Sequence, residues 1–241
     1  MVARARGIPP RFAGRDEPIG SPQVAVVIDV MRAFTATAAA LGAGAREVLL
    51  AASAQDALAL KARHPGSVAW TDGELEPGFD CGNSPVQVGA RDLAGVTCVA
   101  TTSAGTVGAH AAKGAGLLFT ASFTVAAATA RAVRAAGADD VTYVITGART
   151  TAAEHLGRAE EDLACAEYIA AMVAGENVTA DGYLERARRS PAADRLREGI
   201  RLGYPGIDRD DVELCLDLDR FPFAMVVTAE AGVLALRARM S

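Results

Sequence analysis

Acidic, basic and hydroxyl side chains recur at one kind of place in this sequence, directly after short apolar runs. Asp29 and Arg32 follow residues 24–28, Asp72 and Glu74 follow 68–70, and Thr101, Thr102 and Ser103 follow 96–100. Ser122 follows 117–120, and Gly147 and Arg149 follow 141–146. The carboxylates Asp29, Glu74 and Asp80, with Glu161 and Asp162 further on, are hard oxygen donors of the kind that hold Mg²⁺ together with substrate oxygens and water. The segment Thr102, Ser103, Ala104, Gly105, Thr106 opens a helix-like stretch whose free N–H groups suit a phosphate or sulfonate. An arginine fork adds paired contacts to the same oxygens. A metal, an anion cradle and an arginine together make a phosphoryl-transfer site. Each part also has an ordinary use. Ser and Thr cap helices, Glu161 and Asp162 are favoured first-turn acids, and Arg149 could be a solvated loop residue.

These residues need a scaffold that gathers them, and the pattern predicts one. Residues 24–28 form an unbroken apolar run, as in a strand buried on both faces. Short β-rich runs at 47–51, 68–70, 96–100, 117–120 and 141–146 alternate with Ala-rich helical stretches at 32–41, 53–63, 103–113, 122–136 and 158–174. That alternation predicts an α/β fold, a mostly parallel sheet with helices on both faces, whose ligands bind at the C-terminal strand ends. Residues 71–85 are a long polar loop holding Gly78, Phe79, Asp80, Cys81, Gly82, Asn83, Ser84 and Pro85, and loops of this length are usually ordered for a purpose. Residues 180–202 read as helix broken near Ser190 and Pro191, and 212–218, 224–227 and 233–236 as closing strands in a small C-terminal α+β extension. Residues 1–20 read as a loose N-terminal segment and 21–241 as a single domain.

Of the 241 residues, 51% are hydrophobic and 22% charged, which is an ordinary soluble composition. No apolar run reaches the roughly 18 to 20 residues of a membrane helix, and the Arg-rich start lacks a signal-peptide core, so a cytoplasmic protein is expected. A net charge of −5 with interspersed signs argues against nucleic acid as a partner. The four cysteines form no C-x-x-C pair and are expected reduced and buried. Several familiar kits are absent. Met31 stands where an Asp-x-Asp nucleophile would need its second acid, Gln87 stands where Cys81 would need an arginine, and no Walker loop or dinucleotide fingerprint occurs. His64 and His110 read as structural or solvated, and His155 is a candidate acid or base.

Taken in order, these segments resemble the 2-phosphosulfolactate phosphatase family. Ile28 to Thr35 resembles its Ile-Asp-Val-Leu-Arg-Ala-Thr-Thr opening, and Gly73-Glu74 followed by Gly78 to Pro85 resembles its Gly-Glu-Arg segment and Gly-Phe-Asp-x-Gly-Asn-Ser-Pro loop. Thr101 to Thr106 resembles Thr-Thr-x-Asn-Gly-Thr, Ser122-Phe123 a later Ser-Phe, and Glu161 to Ala166 its Glu-Asp-Leu-x-Cys-Ala. The resemblance implies hydrolysis of 2-phospho-3-sulfolactate to 3-sulfolactate and phosphate, a step toward coenzyme M, with Mg²⁺ as cofactor and a small anionic phosphorylated acid as the partner. It implies Asp29, Glu74 and Asp162 as metal ligands, and Asp29, Glu74 and Asp80 as catalytic acids. Arg32, Asn83, Ser84, Thr101, Thr102, Ser103, Gly105, Thr106, Ser122 and Arg149 would then shape the substrate site. Two positions depart from the family pattern: Leu75 replaces an arginine and Ala104 an asparagine, which opens the way to a different phosphorylated acid. A non-catalytic anion-binding protein of the same fold is the alternative. A homodimer is the base-rate assembly.

Overall fold

The computed structural model describes residues 10–240. In chain order the elements are β1 (Arg11–Gly14), β2 (Val24–Ile28), α1 (Ala33–Gly42), β3 (Glu47–Leu50), α2 (Ala54–Arg63), β4 (Val68–Thr71), β5 (Cys81–Gly82) and α3 (Pro85–Gly89). They continue with β6 (Thr97–Thr101), α4 (Gly105–Ala111), β7 (Leu117–Ala121), α5 (Ala126–Ala136), β8 (Val141–Ile145), α6 (Ala153–Leu156) and α7 (Glu160–Ala174). The chain ends with α8 (Asp181–Arg188), α9 (Pro191–Arg201), α10 (Asp211–Cys215), β9 (Phe223–Glu230) and β10 (Val233–Met240).

All ten strands join one curled sheet, ordered β1-β8-β2-β7-β9-β10-β3-β6-β4-β5, within a single α/β domain. The apolar strands sit where their sequences require. Every residue of β2 is buried, because parallel neighbours flank it on both sides and helices cover its faces. Nine of the ten residues of α1 are buried too, and their small side chains let α3 pack closely on this helix.

The sheet is mostly parallel, but in two blocks. β1, β8, β2 and β7 run together, as do β3, β6, β4 and β5. The β9–β10 hairpin lies between the blocks and pairs antiparallel to β7 on one side and β3 on the other. It is therefore the centre of the sheet and not the peripheral extension that the sequence suggested. It also reverses one block against the other, so the strand ends do not share one edge of a uniformly parallel sheet. Curling restores their meeting. A Cβ on Gly105, which follows β6 of one block, would lie 2.6 Å from the Ala33 side chain and 2.9 Å from Asp29 Oδ2, which follow β2 of the other. Only glycine allows that approach.

Two further expectations change. Residues 212–218 do not form a strand. Val212, Cys215 and Leu216 are buried at spacings of three and four, the period of a helix, and α10 covers most of this stretch. Within the expected loose segment 1–20, residues 11–14 form the edge strand β1 paired to β8, and residues 1–9 lie outside the described residues. All four cysteines are buried and free.

Candidate functional site

Asp29 is the first residue past β2, and the fold closes over it until it is 6% exposed. Its Oδ1 accepts the Ala33 N–H at 2.8 Å, so the carboxylate caps the start of α1, and its Oδ2 accepts the Thr146 hydroxyl at 3.1 Å. Thr146 is the residue after β8, the neighbour of β2. The same hydroxyl lies 3.4 Å from Asp162 Oδ2. Asp162, in the first turn of α7, also accepts the Val30 N–H with Oδ1 and the Gly147 N–H with Oδ2, each at 2.8 Å. Asp29 and Asp162 thus stand either side of one threonine, pinned by backbone donors from two strand ends.

Burial disfavours the charge on both. It pushes Asp29 up to about 6, against the pull of the Ala33 N–H and the Thr146 hydroxyl; the nearby Asp72 charge raises it and Arg32 lowers it. Asp162 is held well above the usual carboxylate range by burial, then by the charges of Glu161 and Asp29. Glu161 is pushed up to about 7, mainly by burial, and its buried Oε2 has no hydrogen-bond partner among the described residues.

The turn after β6 packs directly against Asp29 and Ala33. Its expected anion cradle is largely satisfied internally. The Thr102 N–H donates to Thr106 Oγ1 and the Thr106 N–H to Thr102 Oγ1, each at 3.0 Å, a reciprocal cap. The Ser103 N–H and hydroxyl both donate to Asp72 Oδ2, at 2.8 and 2.7 Å, tying the end of β4 to this turn. Thr101, the last residue of β6, is buried beneath it. Gly105 supplies the close approach to Asp29.

Arg32 is the cation beside Asp29. Its Nη1 donates to Asp211 Oδ2 at 2.7 Å and to the Gly206 carbonyl at 2.8 Å. Ser84 donates its hydroxyl to the other oxygen of Asp211 at 2.6 Å and caps α3 through the Gln87 N–H. Its neighbour Asn83 is buried with Oδ1 unpaired among the described residues. The 78–85 loop is packed tightly here, since a Cβ on Gly82 would lie 2.7 Å from the Gly206 Cα.

Other candidates stand apart from this cluster in their bonding. Asp80 pairs with Lys61 at 2.8 Å and accepts the Ala69 N–H at 2.7 Å, a staple of the β4–β5 edge. Glu74 is exposed on the turn after β4, and Asp72 is the acid that faces Ser103. Ser122 is fully buried, its hydroxyl 2.8 Å from that of Thr124. Arg149 pairs with Asp16 at 2.6 Å on the surface, and His155 Nδ1 lies 2.8 Å from the Thr150 hydroxyl. Sequence reasoning missed Thr146, Asp211 and Arg15. Arg15 follows β1 and donates to the Thr146 carbonyl at the site's edge.

The profile of the family described as 2-phosphosulpholactate phosphatase matches residues 15–230. A probable 2-phosphosulfolactate phosphatase of Bacillus subtilis is 30% identical over 225 residues, covering 92% of this chain and 94% of that one. Proteins of the same name are 33% identical in Thermus thermophilus, over 93% of this chain and 92% of that one, and 32% identical in Carboxydothermus hydrogenoformans, over 80% and 82%.

Proposed function

The chain belongs to the 2-phosphosulpholactate phosphatase family, and on that premise we propose that it hydrolyses the phosphomonoester of a small sulfonated or carboxylated acid, with 2-phospho-3-sulfolactate as substrate and Mg²⁺ as cofactor. The observation that carries the proposal is that β2 ends on a buried acid, Asp29, pinned by Ala33 and Thr146, with the cation Arg32 three residues on. The reaction would release phosphate and 3-sulfolactate, a step toward coenzyme M. The small phosphorylated acid would be the partner of a cytoplasmic homodimer that binds no nucleic acid. No helix among the described residues is long and apolar enough to cross a membrane.

The donor set suits Mg²⁺, which takes one or two carboxylates and completes its shell with substrate oxygens and water. Among the described residues no three acidic, histidine or cysteine side chains form a ready-made cage. The fitting pair is Asp29 and Asp162, whose facing oxygens share Thr146 and keep lone pairs to spare. Bound there, the ion would offset the negative charge on the phosphoryl group.

The side chains supply the rest. Arg32 holds phosphate oxygens with the N–H groups it does not spend on Asp211 and Gly206. Asp29 is fixed by Ala33 and Thr146, and its carboxylate would orient a water beside the ion and take its proton. The proton taken from that water passes on to the oxygen of the leaving alcohol, so that water and ester become alcohol and phosphate. The test is phosphate release from 2-phospho-3-sulfolactate, other phosphorylated acids and a generic phosphomonoester, with Mg²⁺ and with chelator. Asp29→Asn should lower kcat about 10²- to 10⁴-fold. Turnover unchanged by chelation would remove the metal, and no phosphate from any substrate would leave an anion-binding protein.

A further inference from the structure

We infer that Asp211 is a positioning residue of the phosphate site: its buried carboxylate fixes one edge of the Arg32 guanidinium and leaves the other edge facing the incoming anion. The inference rests on the phosphatase reading for the identity of that anion. Asp211 is completely buried. Its Oδ1 accepts the Ser84 hydroxyl at 2.6 Å and the Val86 N–H at 3.3 Å; its Oδ2 accepts Arg32 Nη1 at 2.7 Å and the Asp208 N–H at 3.0 Å. Four donors fill the lone pairs of a carboxylate. Asp211 therefore has nothing left for substrate or metal, and its effect has to pass through the groups it holds.

Arg32 is the functional one among them. Nη1 spends both hydrogens, one on Asp211 and one on the Gly206 carbonyl. The guanidinium is planar and rigid, so two bonds at one nitrogen fix its plane and direction. Nε and Nη2 carry three more N–H groups with no acceptor among the described residues, and the side chain keeps 10% of its surface open to solvent. Those three unspent N–H groups supply a bidentate fork for two phosphate oxygens. Without Asp211 the long side chain regains its rotamers, and Asp29, whose ionisation Arg32 already influences, is an acid it could turn to. Asp211 thereby holds the arginine ready for the anion. The same carboxylate ties the residues after β2, the start of α3 and the segment entering α10, so the arginine's aim depends on three parts of the chain.

The test is a double-mutant cycle read by binding of inorganic phosphate in calorimetry, with kcat and KM measured alongside. Folded Asp211→Asn should bind phosphate about 10- to 100-fold more weakly, the loss of a charge-assisted bond, with a similar rise in KM and a smaller change in kcat. Arg32→Ala should lose as much, and the double variant no more than Arg32→Ala alone, because Asp211 then has no arginine to aim. A staple for the fold alone would instead add its full loss in the Arg32→Ala background. That result overturns the inference, as does phosphate affinity within twofold of wild type in folded Asp211→Asn, or no phosphate binding by the wild type. If Asp211→Asn does not fold, Ser84→Ala replaces it, keeping the carboxylate with one donor fewer: phosphate should weaken a few-fold with Arg32 present and not at all without it. Binding is read without turnover, so a wild type that binds phosphate but releases none refutes the phosphatase reading alone.

Discussion

Replacing Thr146 by valine removes one hydroxyl and keeps the side-chain shape, so it isolates the bond that Asp29 and Asp162 share. Thr146 is fully buried, and its hydroxyl lies 3.1 Å from one carboxylate and 3.4 Å from the other. A hydrogen bond to a charged group contributes roughly 1.5–3 kcal/mol. One proton divided between two acceptors puts the share of Asp29 at the low end, about 1.4 kcal/mol, or about one pKa unit. Asp29 should therefore move from about 6 toward about 7 in Thr146→Val. In the metal-free protein at pH 6 its ionised fraction then falls from about a half to about a tenth, so Mg²⁺, which needs the ionised carboxylate, should bind roughly fivefold more weakly. At pH 9 both proteins are fully ionised and their Mg²⁺ affinities should agree within about twofold. The assay has two arms: carboxyl ¹³C titration of the metal-free protein, and Mg²⁺ affinity by calorimetry at pH 6 and pH 9. An Asp29 resonance that titrates at the same pH in both proteins, or a loss of Mg²⁺ affinity equal at pH 6 and pH 9, would refute the reasoning.

Stability should depend on pH in an unusual direction. A carboxyl whose folded pKa is raised holds a proton in the folded state that the unfolded chain has released, so stability falls as pH rises from the unfolded to the folded value. That window runs from 3.8 to about 6 for Asp29 and from 4.5 to about 7 for Glu161. The Tm of the metal-free protein should therefore fall between pH 5 and pH 8, with MgCl₂ restoring more at pH 8 than at pH 5; a flat or rising metal-free Tm counts against the buried acid cluster. Gly105→Ala places a methyl 2.6 Å from Ala33 Cβ and 2.9 Å from Asp29 Oδ2, so thermal unfolding should show a loss of about 1–3 kcal/mol together with reduced turnover. All four thiols are buried with their pKa values raised by burial, so a thiol reagent should modify none until the protein is denatured.

The local part of this site was legible in the sequence, and the long-range part was not. Asp29 stood out because a charge ends an unbroken apolar run, and the run is the buried strand β2. The helices bracketing Ser190 were readable from Pro191 and the Ser190 cap, which accepts the Ala193 N–H. Glu74 and Asp72 are the same kind of residue two positions apart, and only the end of β4 at Thr71 decides which one turns to Ser103. Asp208, Asp210 and Asp211 are likewise alike in sequence, yet one is sealed against Arg32. Arg15 was hidden because a short edge strand among prolines and glycines carries little periodic signal. The place of β9 and β10 could not be read either: alternation marks a strand, but which strands it joins depends on contacts far apart in the chain.

That hairpin sets the order in which the fold can be completed. The block of β3 to β6 is inserted in the sequence between β2 and β7 of the other block, and the pair that joins the two emerges after all the others. Until then β7 and β3 each present an open edge able to pair with another chain, and the largest loop closures come last. A protein shortened before Phe223 would keep every residue of the proposed site and lose the seam that holds its two sides in register. Shielding of nascent chains, more than any property of the finished site, would then govern the yield of active enzyme.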